Sequence, residues 1–166
     1  ARYVADRGAR LDLAAAAGIG RLDVVKALVS GATPSQMQSA FALACGYGHA
    51  AVVEVLLDAG VDPDASLQGF GRGHTGLHVA AYGAHVAVVR LLLRRGATVD
   101  VADETWGTPP LTWALHAWRA DPSGRPERFY EVVHVLVAAG AAVSPDLLEE
   151  ETIRADRRMM AALTGS

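Results

Sequence analysis

The sequence predicts an all-α solenoid of about four stacked helix-turn-helix units, and three observations support this prediction. An aliphatic segment recurs four times along the 166 residues, an alanine-rich segment precedes each copy, and a glycine follows each copy. Repetition of this kind is typical of solenoids, in which each unit buries its apolar face against its neighbours.

The aliphatic segments predict one helix in each unit. They span residues 22–29, 50–57, 86–93 and 130–137. Their apolar residues cover more than one stripe of a helix, so we expect each helix to contact neighbours on several sides. A glycine ends each helix, because glycine adopts a left-handed backbone at little cost. These glycines are Gly31, Gly60, Gly96 and Gly140.

The alanine-rich segments predict the second helix of each unit. They span residues 13–17, 41–45, 77–81 and 111–115, and their first residues are 28, 36 and 34 positions apart. Small side chains let neighbouring helices approach closely, whereas the bulkier aliphatic helices stay further apart. We therefore expect the stack to curve, with the alanine-rich helices, here called the inner helices, on its concave side.

The inner helices carry motifs that resemble a known repeat family. Residues 75–80 read Thr-Gly-Leu-His-Val-Ala, and residues 109–114 read Pro-Pro-Leu-Thr-Trp-Ala. A Gly-His pair at 48–49, degraded to Ala-His at 84–85, lies between the paired helices. The chain thus resembles the ankyrin-repeat family, whose repeats of about 33 residues carry the motif Thr-Pro-Leu-His-x-Ala. An excess of arginine over lysine, 14 to 1, adds the expectation of a bacterial member.

The resemblance implies a single ankyrin-repeat domain over residues 1–166. Repeats are expected at 13–40, 41–76, 77–110 and 111–143, after an N-terminal cap or the end of a preceding repeat at 1–12. Members of the family carry a hairpin-like finger between successive units. Only the stretches 60–77 and 96–111 are long enough for one, so we expect fingers at the boundaries of the C-terminal half.

The C-terminal residues predict a helical cap at 144–166. Ser144 followed by Pro145 is a helix-start signal, and it leads into the segments 146–151 and 153–163. Apolar residues there are expected to cover the last repeat, while the charged residues face water. Inside the fourth repeat, residues 118–128 include Pro, Gly and Ser and predict a loop, either functional or merely mobile.

Charge and composition narrow the class of partner. A net charge of −3 gives no reason to expect nucleic acid or an anionic membrane as partner. No apolar run reaches the roughly 18 residues that a membrane span needs, and the first residues do not form a signal peptide. We therefore expect a cytoplasmic monomer. The absence of an initial Met and the helix-like residues 3–8 are consistent with a chain cut from a longer protein.

The sequence contains no pattern typical of catalysis. Signatures of phosphate loops, nucleophile elbows and zinc proteases are missing, so we expect no enzyme, no cofactor and no metal. The spacing of His74 and His78 would suit zinc on a helix, but no third ligand accompanies them. The resemblance instead implies a hydrogen-bonding role for His78. Asp62 and Asp64 are expected to be solvated in a loop, and the lone Cys45 is expected to be buried.

The resemblance places partner binding at the ends of the inner helices and at the finger tips. Tyrosine, tryptophan and arginine, which often anchor protein interfaces, occur at these positions. The predicted partner-binding residues are Tyr47, Phe70, Arg72, His74, Tyr82, Thr105, Trp106 and His116. Trp113 lies inside an inner-helix motif and is expected in the core.

The predicted function is therefore a protein–protein interaction module that acts as an adaptor, scaffold or inhibitor without catalysis. Two alternatives stay open. The chain is an interaction domain belonging to or associated with a larger enzyme, or it binds a small molecule or metal through the histidines at 74 and 78 and the acids at 62 and 64.

Overall fold

A computed structural model of the chain describes residues 11–67, 73–121 and 126–165. Within these ranges the regular elements are all helical, which confirms the predicted all-α class. The α-helices, in chain order, are α1 Leu13–Gly18, α2 Leu22–Leu28, α3 Pro34–Gly46, α4 Ala50–Asp58, α5 Gly76–Tyr82, α6 Val86–Arg94, α7 Pro110–Ala120, α8 Glu127–Ala138, α9 Pro145–Glu149, α10 Glu151–Ala155 and α11 Arg157–Thr164. None of these helices has the length and apolar character needed to cross a membrane.

The helices stack in two layers. The inner helices α1, α3, α5 and α7 each contact the next inner helix, and the outer helices α2, α4, α6 and α8 do the same. Each inner helix also packs on the outer helix of its own unit. Each unit therefore packs mainly against the units beside it. This confirms the solenoid that the repeat pattern predicts.

Residue size explains the two layers. Alanines of the inner helices, such as Ala16, Ala44 and Ala80, are completely buried between successive helices. The outer helices contribute larger side chains to the core, including Leu56 and Leu92, which are also completely buried. Burying one such leucine stabilises the fold by about 1.5–3 kcal/mol.

Histidines in two of the turns fasten the second and third units to the units that precede them. The Nε2 atom of His49 lies 3.0 Å from the Gly18 carbonyl oxygen, and that of His85 lies 2.8 Å from the Gly46 carbonyl oxygen. A neutral ring can donate this bond, and burial favours the neutral form because it lowers the pKa of His85, although the bond to Gly46 opposes the shift. The turns thereby set the spacing between inner helices.

Loops at the later boundaries fold back as hairpin-like fingers. In the first, the Leu67 N–H donates to the His74 carbonyl at 2.7 Å, and residues 68–72, where a tip is predicted, lie outside the described residues. In the second, the Asp103 N–H donates to the Thr108 carbonyl at 3.1 Å. Between α2 and α3 there is only a short connection, which ends in a capping box formed by Thr33 and Gln36.

Acidic residues form hydrogen bonds between successive boundaries of the repeats. The carboxylate of Asp64 accepts hydrogen bonds from the backbone N–H of Thr98 at 2.9 Å and from its hydroxyl at 2.6 Å. Asp100 accepts the Ala142 N–H at 2.9 Å in the same way. The expectation that Asp64 is merely solvated is therefore wrong, because its carboxylate bridges two repeats.

The C-terminal helices cover the outer helix α8. Ser144 caps α9, and Ile153 and Met159 are completely buried. The predicted segment 153–163 is divided at Asp156, whose carboxylate caps α11 and accepts a hydrogen bond from the Tyr130 hydroxyl at 2.7 Å. Tyr130 thus ties the C-terminal helices to the repeat that precedes them.

The predicted loop at 118–128 is shorter than expected. Helix α7 continues through Ala120 and α8 begins at Glu127, while residues 122–125 lie outside the described residues. The extra turn of α7 is held by apolar burial, because Ala117 is buried and Trp118 packs against the core. Residues 118–120 are helical, but their composition predicted a loop.

Candidate functional site

A groove opens where helix α5, the second finger and helix α7 meet. Its volume is about 470 Å³, and three of its walls are aromatic rings. The residues that line it are Tyr82, Trp106, Thr108, Thr112, Trp113 and His116. We call this feature the aromatic groove.

Each wall of the aromatic groove comes from a different element. Tyr82 is the last residue of α5, and Trp106 lies in the finger before α7. Trp113 and His116 are three positions apart on α7, so they share one face of that helix. Because α5 and α7 are adjacent inner helices, the Tyr82 ring centroid lies 5.9 Å from that of Trp113 and 6.4 Å from that of His116.

Trp113 forms the middle of the ring cluster. Its centroid lies 5.6 Å from that of Trp106 and 4.5 Å from that of His74, which it meets edge to face. The residue is only partly buried and lines the groove. The prediction that Trp113 belongs to the core is therefore wrong.

Asp103 organises the finger from within. Its carboxylate is buried, and Oδ1 accepts the backbone N–H groups of Thr105 at 2.8 Å and Trp106 at 2.7 Å. Oδ2 accepts the Thr108 N–H at 3.1 Å, the Thr108 hydroxyl at 2.7 Å and the Trp113 Nε1–H at 3.2 Å. A single carboxylate therefore bonds to the backbone of Trp106 and to the indole of Trp113, the two tryptophans that line the groove.

The protonation of Asp103 follows from these bonds. Burial by itself raises the pKa of the carboxyl group, but the hydrogen bonds from Thr108, Trp106 and Trp113 outweigh burial and hold the pKa well below its usual range. The group is thus a carboxylate at neutral pH. Sequence reasoning did not select Asp103, although an Asp at the start of a turn, hydrogen-bonded to the backbone that follows it, is a known turn pattern.

His78 fastens the finger to helix α5. The Thr75 N–H donates to its Nδ1 at 3.1 Å, so Nε2 carries the proton and donates to the Thr108 carbonyl at 3.1 Å. Burial lowers the pKa of His78 despite this bond, which favours the neutral ring. This arrangement agrees with the hydrogen-bonding role that the family resemblance implies. Among the described residues, no group of three His, Cys, Asp or Glu side chains could hold a metal ion.

His74 lies beneath the aromatic groove. It is 2% exposed, and its ring stacks on Trp106 with centroids 5.8 Å apart and planes at 19°. Neither ring nitrogen has a hydrogen-bond partner within the described part of the chain, and Nε2 lies 3.8 Å from the Asp103 carboxylate. His74 therefore supports Trp106 from below and offers little surface of its own.

The remaining predicted residues are spread along the inner face. Trp106 is 67% exposed and Tyr82 is 49% exposed, and both line the groove together with His116. Tyr47, which is 63% exposed at the end of α3, does not line it. Thr105 is exposed on the finger beside Trp106. The predicted residues Phe70 and Arg72 lie outside the described residues.

Comparison with known proteins agrees with this architecture. The family model for ankyrin repeats (three copies) matches residues 11–103 and 41–146. Over 72 residues the chain is 40% identical to inversin of Danio rerio, covering 43% of this chain and 7% of that protein. Over 99 residues it is 35% identical to the B-cell lymphoma 3 protein homolog of Mus musculus, covering 56% and 22% respectively. Over 101 residues it is 33% identical to ankyrin repeat and SOCS box protein 16 of Mus musculus, covering 61% and 21%.

The chain spans less than a quarter of the length of each of these relatives. All three are vertebrate proteins, so they do not support the expected bacterial origin.

Proposed function

The chain belongs to the ankyrin-repeat family, whose repeats are protein–protein interaction modules, and on that premise we propose that it binds a partner protein through the aromatic groove. One observation carries the proposal: Trp106 is 67% exposed and Tyr82 is 49% exposed beside a groove of about 470 Å³. Exposed aromatic side chains contribute little to the stability of the free protein, but they are among the commonest anchors of protein interfaces.

The construction of the groove supports the same proposal. The buried Asp103 carboxylate bonds the indole of Trp113 and the backbone of Trp106, and His74 stacks on the Trp106 ring, so little side-chain freedom is lost when a partner covers the two tryptophans. A preformed surface of this kind gains affinity because its residues are already ordered. We extend the proposed contact surface along the inner face to Tyr47 and to Phe70 and Arg72 of the first finger.

We propose that the module acts as an adaptor, scaffold or inhibitor, without catalysis. A net charge of −3 supports a protein partner over nucleic acid. That the chain is a cytoplasmic monomer is part of the same proposal. The single domain over 1–166, with a helical cap from 144, remains part of this proposal. A bacterial source remains a prediction from composition alone.

A second candidate is an interaction domain within a larger protein. Its support is the small share of each relative that the chain covers, 7% of inversin and 22% of the B-cell lymphoma 3 protein homolog. The complete open reading frame tests it. A catalytic domain in the same frame favours this candidate, and an open reading frame limited to these residues contradicts it.

Affinity capture with matched variants tests the proposed function. The tagged chain and a Tyr82→Ala/Trp106→Ala double variant are incubated with lysate of the source organism, and captured proteins are identified by mass spectrometry. An Ile19→Ala/Leu28→Ala double variant is the control, because it removes two exposed apolar side chains that do not line the groove.

We expect one set of proteins to be captured by the unchanged chain and by the control, and lost with the groove variant. Melting temperatures of the three proteins, within a few degrees of one another, show that the folds are intact. Capture that persists without Tyr82 and Trp106 contradicts the proposed surface.

A further inference from the structure

We propose that the aromatic groove receives an arginine side chain of the partner, with its guanidinium group against the rings of Trp106, Trp113 and Tyr82. This inference rests on the proposed function and names the chemistry that the groove recognises. It follows from two observations, which are the arrangement of the rings and the charge beneath them.

The rings offer several π-faces to one cation. The centroid of Trp113 lies 5.6 Å from that of Trp106 and 5.9 Å from that of Tyr82, and the planes are inclined by 58° and 75°. A group that enters the groove between inclined rings contacts more than one of them. Cations within about 6 Å of a ring centroid are attracted by its quadrupole, and tryptophan gives the strongest attraction.

The charge beneath the rings is negative. The lining residues include no lysine or arginine, and the nearest formal charge in their hydrogen-bond network is the Asp103 carboxylate. Its described donors are backbone N–H groups, a threonine hydroxyl and an indole, none of which carries a positive charge. A buried charge is poorly screened, so its field favours a cation in the groove.

Asp103 also acts through the ring itself. The Trp113 Nε1–H is shared between Oδ2 of this carboxylate, at 3.2 Å, and the Thr108 hydroxyl oxygen, at 3.1 Å, and that hydroxyl itself donates to Oδ2. A hydrogen bond to an anion polarises its donor, which leaves the indole face richer in electrons. Trp113 therefore attracts a cation more strongly than an indole bonded only to water.

Guanidinium suits the groove better than ammonium. It is planar, it stacks on aromatic faces, and it is less strongly hydrated than the ammonium group of lysine. An apolar side chain would fill the same volume but would gain nothing from the Asp103 charge. These alternatives are separated by the experiment.

The three tryptophan indoles provide the measurement. Trp106 and Trp113 line the aromatic groove, whereas Trp118 lines a different surface depression and serves as an internal reference. Indole N–H signals of ¹⁵N-labelled protein are followed while acetyl-Gly-Arg-Gly-amide is added. The control peptide carries citrulline, which has the shape of arginine without its charge, and a second peptide carries lysine.

We expect the arginine peptide to shift the Trp106 and Trp113 signals but not that of Trp118. It should bind about 2- to 30-fold more tightly than the citrulline peptide, which is the range of cation–π interactions. Trp106→Leu should abolish the preference for arginine over citrulline, while Ile19→Ala, which removes an exposed apolar side chain outside the groove, should leave it unchanged.

Equal binding of arginine and citrulline peptides, equal binding of the lysine peptide, or no shift at all would each overturn the assignment. None of these results affects the capture experiment. If the groove variant still loses its partner, the protein-binding function stands and only the arginine assignment fails.

Discussion

The indole Nε1–H of Trp113 donates to the carboxylate of Asp103 at 3.2 Å, and this bond joins helix α7 to the finger that precedes it. The same carboxylate accepts the backbone N–H of Trp106 at 2.7 Å. One buried acid therefore sets the distance between two walls of the groove, and its removal is the most direct test of the site.

Replacing Asp103 with alanine should destabilise the protein and loosen the groove. The change leaves the backbone N–H groups of Trp106 and Thr108 without the carboxylate that accepts them, and each buried polar group left unsatisfied costs about 1–3 kcal/mol. Urea unfolding measures the loss of free energy. The exposed neighbour Glu104 supplies the control, because Glu104→Ala should change stability by less than about 0.5 kcal/mol. Equal effects of the two substitutions would contradict the role of Asp103.

Truncating Leu92 should weaken more than one repeat. The side chain is completely buried, so Leu92→Ala should cost about 2–5 kcal/mol of unfolding free energy. Since each unit is stabilised by its neighbours, hydrogen exchange should also accelerate in α4 and α8, which pack beside α6. Leu28→Ala, at a 38% exposed position, is the control and should have a small effect. Faster exchange confined to α6 would argue against coupled repeats.

Gly48 should not tolerate a side chain, whereas nearby Gly46 should. Gly48 has φ +78°, and a Cβ atom there would lie 2.6 Å from Nδ1 of His85. Gly48→Ala therefore strains the backbone and displaces the histidine that bonds the preceding unit, and we expect a loss above about 1 kcal/mol. A Cβ atom at Gly46 meets nothing within 4 Å, so Gly46→Ala should stabilise by about 0.4–1 kcal/mol. Thermal unfolding of the pair tests the prediction, and a reversed order would refute it.

Stability should fall as the pH falls below neutrality. Burial lowers the pKa of His78 and His85 in the folded protein, so the unfolded chain binds protons that the folded chain resists. The contribution of the neutral rings is complete above the unfolded histidine pKa of about 6.5 and is lost as the pH falls toward the lower folded values.

Urea midpoints between pH 7 and pH 5 measure this slope. His78→Gln should reduce it, because glutamine does not titrate in this range. His85→Gln, at the other histidine whose pKa is lowered by burial, should reduce the slope as well. A slope that survives in the His78 variant at full size would contradict the assignment.

The outer face of the solenoid was predictable because its determinants are local. The aliphatic segments at 50–57 and 86–93 correspond to α4 and α6, and each is followed by a glycine of positive φ at 60 or 96. The prediction was wrong where the composition of a segment favours a loop but the segment is helical. Residues 118–120 lie beside Pro and Gly, yet they remain helical, and Trp118 packs against the core.

The sequence by itself determined the all-α class and the stacking of the units, because apolar period and residue size are local properties. The positions of the fingers and the exposure of Tyr82 and Trp106 were implied by the resemblance to the ankyrin-repeat family. Only the tertiary structure decided that Trp113 lines a groove, that His74 lies beneath it and that Asp103 holds both tryptophans. These facts depend on how far α5, α7 and the finger stand apart, and that distance is set by the packing of neighbouring repeats.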